Sequence, residues 1–200
     1  MHRLIALAVV AVLAGAGVLV ATAAGDGDGG GTRSAGVTAS AAGKRQVLVG
    51  RMTKLNGTRV SLSRYRGRVV LVVNTASQCV NTPQFGTLEK FYLRKRGAGL
   101  TILGFPSGDF GDQEYSDPKQ IDGFCRRNFG VSFPMFAKSH VTGAAANPLY
   151  KRLIGEAGPP NWNFGKYLVD RRGHVVRRFD AYTPPTDATI VQAIDRELRR

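Results

Sequence analysis

The chain is poor in cysteine, tryptophan, histidine and acidic residues, and each scarcity removes a class of function. Two cysteines, Cys79 and Cys125, stand 46 positions apart, and His2, His140 and His174 share no metal-ligand spacing with them. No zinc pattern exists, and no metal site is expected. No second cysteine follows Cys79 within Val80 to Pro83, which removes the paired thiols of a thiol-disulfide exchanger or an exported metallochaperone. Fourteen acidic residues face 28 basic ones, for a net charge of +14. The excess is scattered in short groups such as Arg94-Lys95-Arg96 and Arg171-Arg172, without a nucleic-acid motif or an aromatic ladder. It reads as an Arg-rich solvated surface, and no nucleic-acid partner is expected.

What is present divides the chain into three parts. After Met1-His2-Arg3, residues 4–24 are Leu, Ile, Val, Ala, Gly and one Thr. Twenty-one helical residues span roughly 31 Å, about the thickness of a bilayer core. Residues 1–24 therefore read as a signal peptide or an N-terminal membrane anchor, with the small residues Ala21-Thr22-Ala23 suited to cleavage. Either form implies export to a periplasmic or other extracytoplasmic side. Residues 25–45 are rich in Gly, Ala and Ser and read as a flexible linker. Residues 46–200 then have the length of one ordinary domain.

Within that domain, Gln46 to Thr53 and Arg59 to Leu62 flank the turn signal Asn56-Gly57 and predict an opening β-hairpin. A β-branched run, Val69 to Asn74, predicts a strand covered on both faces. Helical spacing follows from Phe85 to Arg96, then a second buried strand from Leu100 to Phe105, then a helix from Pro118 to Phe129 capped by Ser116 or Asp117. Strands from Tyr167 to Asp170 and Val175 to Phe179, joined by a turn, precede a last helix from about Thr186 to Leu198. The order βαβα then ββα predicts an α/β, thioredoxin-like fold: a central mixed sheet flanked by helices, with the N-terminal hairpin appended.

Cys79 is placed for chemistry, at the end of the first core strand and at or just before a helix N-terminus. Free N–H groups there favour a thiolate. Four sequence blocks extend the reading: Val72-Val73-Asn74-Thr75-Ala76-Ser77-Gln78-Cys79 with Thr82-Pro83-Gln84; Gly104-Phe105-Pro106 with Phe110-Gly111-Asp112-Gln113-Glu114; Phe133-Pro134-Met135-Phe136; and Trp162-Asn163-Phe164 before Lys166-Tyr167-Leu168-Val169-Asp170. In this order they resemble the glutathione peroxidase family from about Val47 to the C-terminus.

The resemblance implies that Cys79 is the peroxidatic residue and that Gln113, Trp162 and Asn163 are its catalytic companions, each offering an N–H donor. It implies hydrogen peroxide and organic or lipid hydroperoxides as substrates, a thioredoxin-like protein or glutathione as reductant, a role in oxidative stress, and no cofactor. Lowering a thiol pKa from about 8.5 to about 6 raises the thiolate fraction at pH 7 about thirtyfold, but the weaker nucleophile returns roughly tenfold of that. The donors around the leaving oxygen are then expected to carry most of the rate. A different class of function, a peroxide sensor or thiol relay signalling through oxidised Cys79, uses the same residue.

Departures from the family pattern are Ser107-Gly108-Asp109, where many members have Cys-Asn-Gln, and Val80 in place of a usual glycine. The short segment from Gly155 to Asn161 resembles the monomeric, thioredoxin-reduced branch. Cys125 carries two readings. It aligns at helical spacing with Ile121, Phe124 and Phe129, as a core thiol does. The thioredoxin-reduced branch, however, draws a resolving cysteine from this region.

Overall fold

The computed structural model describes residues 43–200, so the expected signal or anchor and nearly all of the expected linker lie outside the described residues. Among these, no helix is long and apolar enough to cross a membrane. Two short strands, β1 (Arg51–Thr53) and β2 (Arg59–Ser61), pair antiparallel as the predicted hairpin. The first is shorter than its sequence suggests. Val47 N–H donates to the Gly173 carbonyl instead, and Val47 and Leu48 are wholly buried in the core.

The main sheet contains β3 (Val69–Thr75), β4 (Leu100–Pro106), β5 (Lys166–Val169) and β6 (Val175–Phe179) in the order β4-β3-β5-β6. β3 runs parallel to β4 and antiparallel to β5, and β6 closes the sheet antiparallel to β5. This is the expected thioredoxin-like arrangement. Every residue of β3 and β4 is buried, as their unbroken apolar runs require, while β6 alternates and forms the half-wet edge.

Strand periodicity divides the core into two layers. Val69, Leu71 and Val73 face one cluster with Phe85, Leu88 and Phe91 of α1 (Gln84–Lys95), Ile121 and Cys125 of α2 (Pro118–Phe129), and Ile190 and Ile194 of α4 (Ala188–Leu198). Val70 and Val72 face the other cluster, with Leu149, Tyr150 and Leu153 of α3 (Pro148–Ala157) and the N-terminal segment. Helix α3 is an element the sequence reading did not include. Its signals are a helical Leu149, Tyr150, Leu153 spacing, Pro148 in the first turn, and Asn147, whose Oδ1 accepts from the Leu149 and Tyr150 N–H groups at 3.0 Å.

The Phe133–Phe136 block adds a short extension beside β4: Gly104 N–H donates to the Pro134 carbonyl, and Phe136 N–H to the Gly104 carbonyl. A Cβ at Gly104 would overlap the Met135 sulfur and crowd the Phe133 ring, so these side chains pack here over a bare glycine.

Candidate active site

Cys79 lies four residues beyond the C-terminal end of β3 and is 7% exposed. It is not in the first turn of α1. Residues 79–84 instead form a run of tight turns, in which Thr82 N–H donates to the Cys79 carbonyl and Gln84 N–H to the Asn81 carbonyl. Thr82 fastens this turn: its hydroxyl oxygen accepts from Cys79 N–H at 2.9 Å, and the same hydroxyl donates to the Ala76 carbonyl at 3.0 Å. The N–H that reaches the sulfur therefore belongs to the turn, with Asn81 N–H donating to Cys79 Sγ at 3.4 Å.

The three expected companions come from two separate parts of the chain, and a ring of hydrogen bonds joins two of them to Cys79. Asn81 Nδ2 donates to the Asn163 carbonyl at 3.2 Å. Asn163 Nδ2 donates to Gln113 Oε1 at 3.1 Å and to the Phe110 carbonyl at 3.2 Å. The ring closes where Gln78 N–H donates to the Gln113 carbonyl at 2.9 Å, one residue before Cys79. Trp162 is held separately, by Asn74 Nδ2 donating to its carbonyl at 3.0 Å and by the Phe110 ring, 5.4 Å away between centroids.

One expectation changes in this geometry. Asn163 is fully buried and its amide N–H groups are engaged by Gln113 and Phe110, so it orients the Gln113 amide rather than offering a free donor. With Oε1 held, Nε2 is the end of Gln113 directed away from Asn163.

The sequence reading assigns no role to Asn74, Asn81, Thr82 or Phe110, although Asn74 and Thr82 lie in the first block and Phe110 in the second. Asn74 acts through both backbone and side chain: Phe164 N–H donates to its carbonyl at 2.7 Å. That bond holds Phe164 at φ +73°, in the left-handed region, at a cost of about 1–2 kcal/mol for a bulky residue. Burial of its ring edge-on against Phe85, 5.2 Å away, offsets the strain. The next residue is Gly165, where a Cβ would stand 3.0 Å from Asn74 Oδ1 and 2.9 Å from Pro160 Cβ. Trp162-Asn163-Phe164-Gly165 is thus a sharp turn laid against the end of β3.

The loop that carries Phe110 and Gln113 is anchored by Asp109. Its carboxylate accepts from Val141 N–H at 2.6 Å and Thr142 N–H at 3.0 Å, and pairs with His140 Nδ1 at 2.6 Å. Burial acts to raise the Asp109 pKa, but these partners outweigh it and hold the carboxyl below its ordinary value. Beyond Gln113, Glu114 is buried and its pKa is raised by burial, partly offset by its hydrogen bonds. Lys138 Nζ donates to the Glu114 carbonyl at 2.9 Å.

Cys125 sits in the last turn of α2, 1% exposed, and both thiols are free. Burial, reinforced by the nearby Glu114 and Asp122 carboxylates, pushes its thiol up to about 12. Its carbonyl accepts from Val131 N–H, so the same turn ties α2 to the following segment.

Lys166, in the fourth block, is fully buried. Its Nζ donates to the Ala181 carbonyl at 3.2 Å and the Thr183 carbonyl at 2.7 Å, and burial lowers its pKa to about 7 despite Asp180 nearby. Among the described residues, no three His, Cys, Asp or Glu side chains gather closely enough to hold a metal ion.

Comparison with known proteins matches residues 49–154 to the family described as glutathione peroxidase. The chain is 48% identical to the glutathione peroxidase of Lactococcus lactis subsp. cremoris over 139 residues, covering 67% of this chain and 88% of the relative. It is 42% identical over 144 residues to the hydroperoxy fatty acid reductase gpx1 of Synechocystis sp., covering 66% of this chain and 85% of that one. The crystal structure of apo Trgpx superposes with a TM-score of 0.63 at 32% identity, covering 78% of this chain and 97% of that chain.

Proposed function

The chain belongs to the glutathione peroxidase family, as a thiol peroxidase that reduces hydroperoxides, and we propose that Cys79 is its peroxidatic residue. The observation that carries this assignment is the hydrogen-bonded ring through Cys79, Asn81, Asn163, Gln113 and Gln78, which ties the segments carrying Gln113 and Asn163 to the turn that holds the buried sulfur.

In the reaction the Cys79 thiolate attacks the terminal oxygen of ROOH. An S–O bond forms, the O–O bond breaks, and the RO group leaves with the bonding pair and takes a proton as ROH. Cys79 is left as a sulfenic acid. Gln113 Nε2 and the Trp162 indole N–H are the groups assigned to the departing oxygen, where a positioned donor is worth most. Asn163 and Asp109 are positioning residues: one fixes the Gln113 amide, the other the loop that carries it.

The reductant is an external thiol, a thioredoxin-like protein or glutathione, which condenses with the sulfenic acid, releases water and is displaced by a second thiol. A core role for Cys125 is supported by its burial, its high pKa and its place in a closed helical turn. A bridge to Cys79 requires a Cys125 thiolate, which burial and a pKa of about 12 disfavour while α2 stays closed. The relative described as a hydroperoxy fatty acid reductase supports fatty acid hydroperoxides among the substrates. The basic start and apolar run of residues 4–24 support an exported enzyme, tethered or released, on the extracytoplasmic side.

The test is consumption of hydrogen peroxide and a lipid hydroperoxide by the purified protein, with thioredoxin and with glutathione. Cys79→Ser is expected to lose turnover with every pair. Turnover surviving that substitution overturns the assignment.

A further inference from the structure

Val80 and Tyr182 stand apart from the rest of the surface. Of the described residues, the exposed large hydrophobics are Val80, Leu93 and Tyr182, with Val80 80% and Tyr182 61% exposed. Exposed apolar residues scattered singly are ordinary and need no explanation. Two of these three, however, lie on the turn that carries Cys79 or on a loop hydrogen-bonded to Gln84 at the end of that turn. Val80 directly follows the reactive cysteine, which is itself only 7% exposed. Tyr182 lies between β6 and α4, on a loop bound to the site from three directions. Gln84 Nε2, from the first residue of α1, donates to the Ala181 carbonyl at 2.9 Å. Ala181 N–H donates to Oδ1 of Asn161, the residue before Trp162, at 3.1 Å. Buried Lys166 donates to the carbonyls on either side of Tyr182. The loop backbone is therefore fixed while the tyrosine ring stands in solvent.

Two apolar side chains are thus held on the segments that follow Cys79 and adjoin Trp162, where the protein gives them little to pack against. Hydrogen peroxide has no apolar part to meet them. An acyl chain does, and it extends away from a hydroperoxide whose O–O group lies at the sulfur. We propose that Val80 and Tyr182 are specificity-determining residues that seat the hydrocarbon chain of a lipid hydroperoxide. The proposal rests on the peroxidase reading above and deepens it.

The test uses the full-length protein and three peroxides: hydrogen peroxide, a free C18 fatty acid hydroperoxide below its micellar concentration, and a phosphatidylcholine hydroperoxide in vesicles. Val80→Ser, Tyr182→Ser and the double variant are compared with the wild type. Partly exposed contacts give less than the ten- to two-hundredfold of a methylene in a closed pocket, so kcat/KM for the free C18 hydroperoxide is expected to fall about fivefold singly and tenfold or more together. Hydrogen peroxide turnover and the rate of Cys79 alkylation stay at wild-type values.

An equal fall with hydrogen peroxide and the C18 hydroperoxide overturns the proposal, as does no change with either. A fall confined to vesicles also overturns it, in favour of contact with the lipid surface, and a loss confined to the reductive half-reaction overturns it in favour of contact with the reductant. Absence of turnover with all three peroxides in the wild type is a separate outcome, which sinks the peroxidase reading itself.

Discussion

The side-chain amide of Asn163 donates to Oε1 of Gln113 across 3.1 Å, joining residues fifty positions apart and fixing which end of the Gln113 amide is free. If this is how Asn163 contributes, the two act as one unit. Asn163→Ala and Gln113→Ala are each expected to lower kcat/KM for hydrogen peroxide by about 10- to 100-fold, with the double variant little worse than the poorer single one. A double-mutant cycle measures the coupling, and full additivity would sink the unit.

Trp162→Phe keeps an aromatic ring beside Phe110 and removes the indole N–H. Peroxide reduction is expected to slow about tenfold while iodoacetamide alkylates Cys79 at an unchanged rate, because the donor serves the leaving oxygen and not the resting thiol. Stopped-flow oxidation and alkylation, run side by side, separate the two.

Asp109→Ala removes all three anchors of the Gln113 loop, whereas Asp109→Asn retains an acceptor for the Val141 and Thr142 N–H groups. The alanine variant is expected to lose peroxide reactivity several-fold, with partial recovery in asparagine and no change in the reductive half-reaction. The folded pKa of Asp109 lies below its unfolded value, so its contribution is complete above about pH 4 and is lost only as pH falls through the folded value. The alanine deficit should therefore stay constant from pH 5 to 8.

Lys166 gives a stability signature of opposite sense. Its pKa is lowered to about 7 in the folded protein against about 10.4 unfolded, so between these values the unfolded state binds more protons. Stability then rises with pH across that window, by on the order of 1.5 kcal/mol from pH 7 to 8.5. Urea unfolding at the two pH values should show this gain in the wild type and not in Lys166→Met. An identical gain in the variant would place its origin in other groups.

Cys125→Ser is expected to retain turnover with either reductant, and the Cys125 thiol, with its pKa near 12, should resist alkylation at pH 8 until the protein is unfolded. Mass spectrometry of the labelled protein reads the second point. Thioredoxin-driven turnover lost in Cys125→Ser would instead make it the resolving cysteine.

The sequence by itself determined the sheet and the place of the candidate thiol, because these depend on local information. An unbroken β-branched run can be satisfied only by a strand covered on both faces, and the polar break after Thr75 puts Cys79 at its end. Caps and spacing likewise located α1, α2 and α4, and the same signals were present at Asn147-Pro148 for α3, though short and set in a Gly- and Ala-rich stretch. The family resemblance carried by the four blocks also named Gln113, Trp162 and Asn163 as a set.

Tertiary structure decided how that set is arranged. The ring through Asn81, Asn163 and Gln113 is made of hydrogen bonds between residues dozens of positions apart, and no periodicity encodes which amide hydrogen meets which oxygen. Nor could the sequence show that Phe164 adopts a left-handed backbone, that Cys79 precedes α1 by a turn, or that a wholly buried Lys166 carries the Tyr182 loop. Local propensity reports what a segment does alone; orientation and pKa depend on what the fold packs against it.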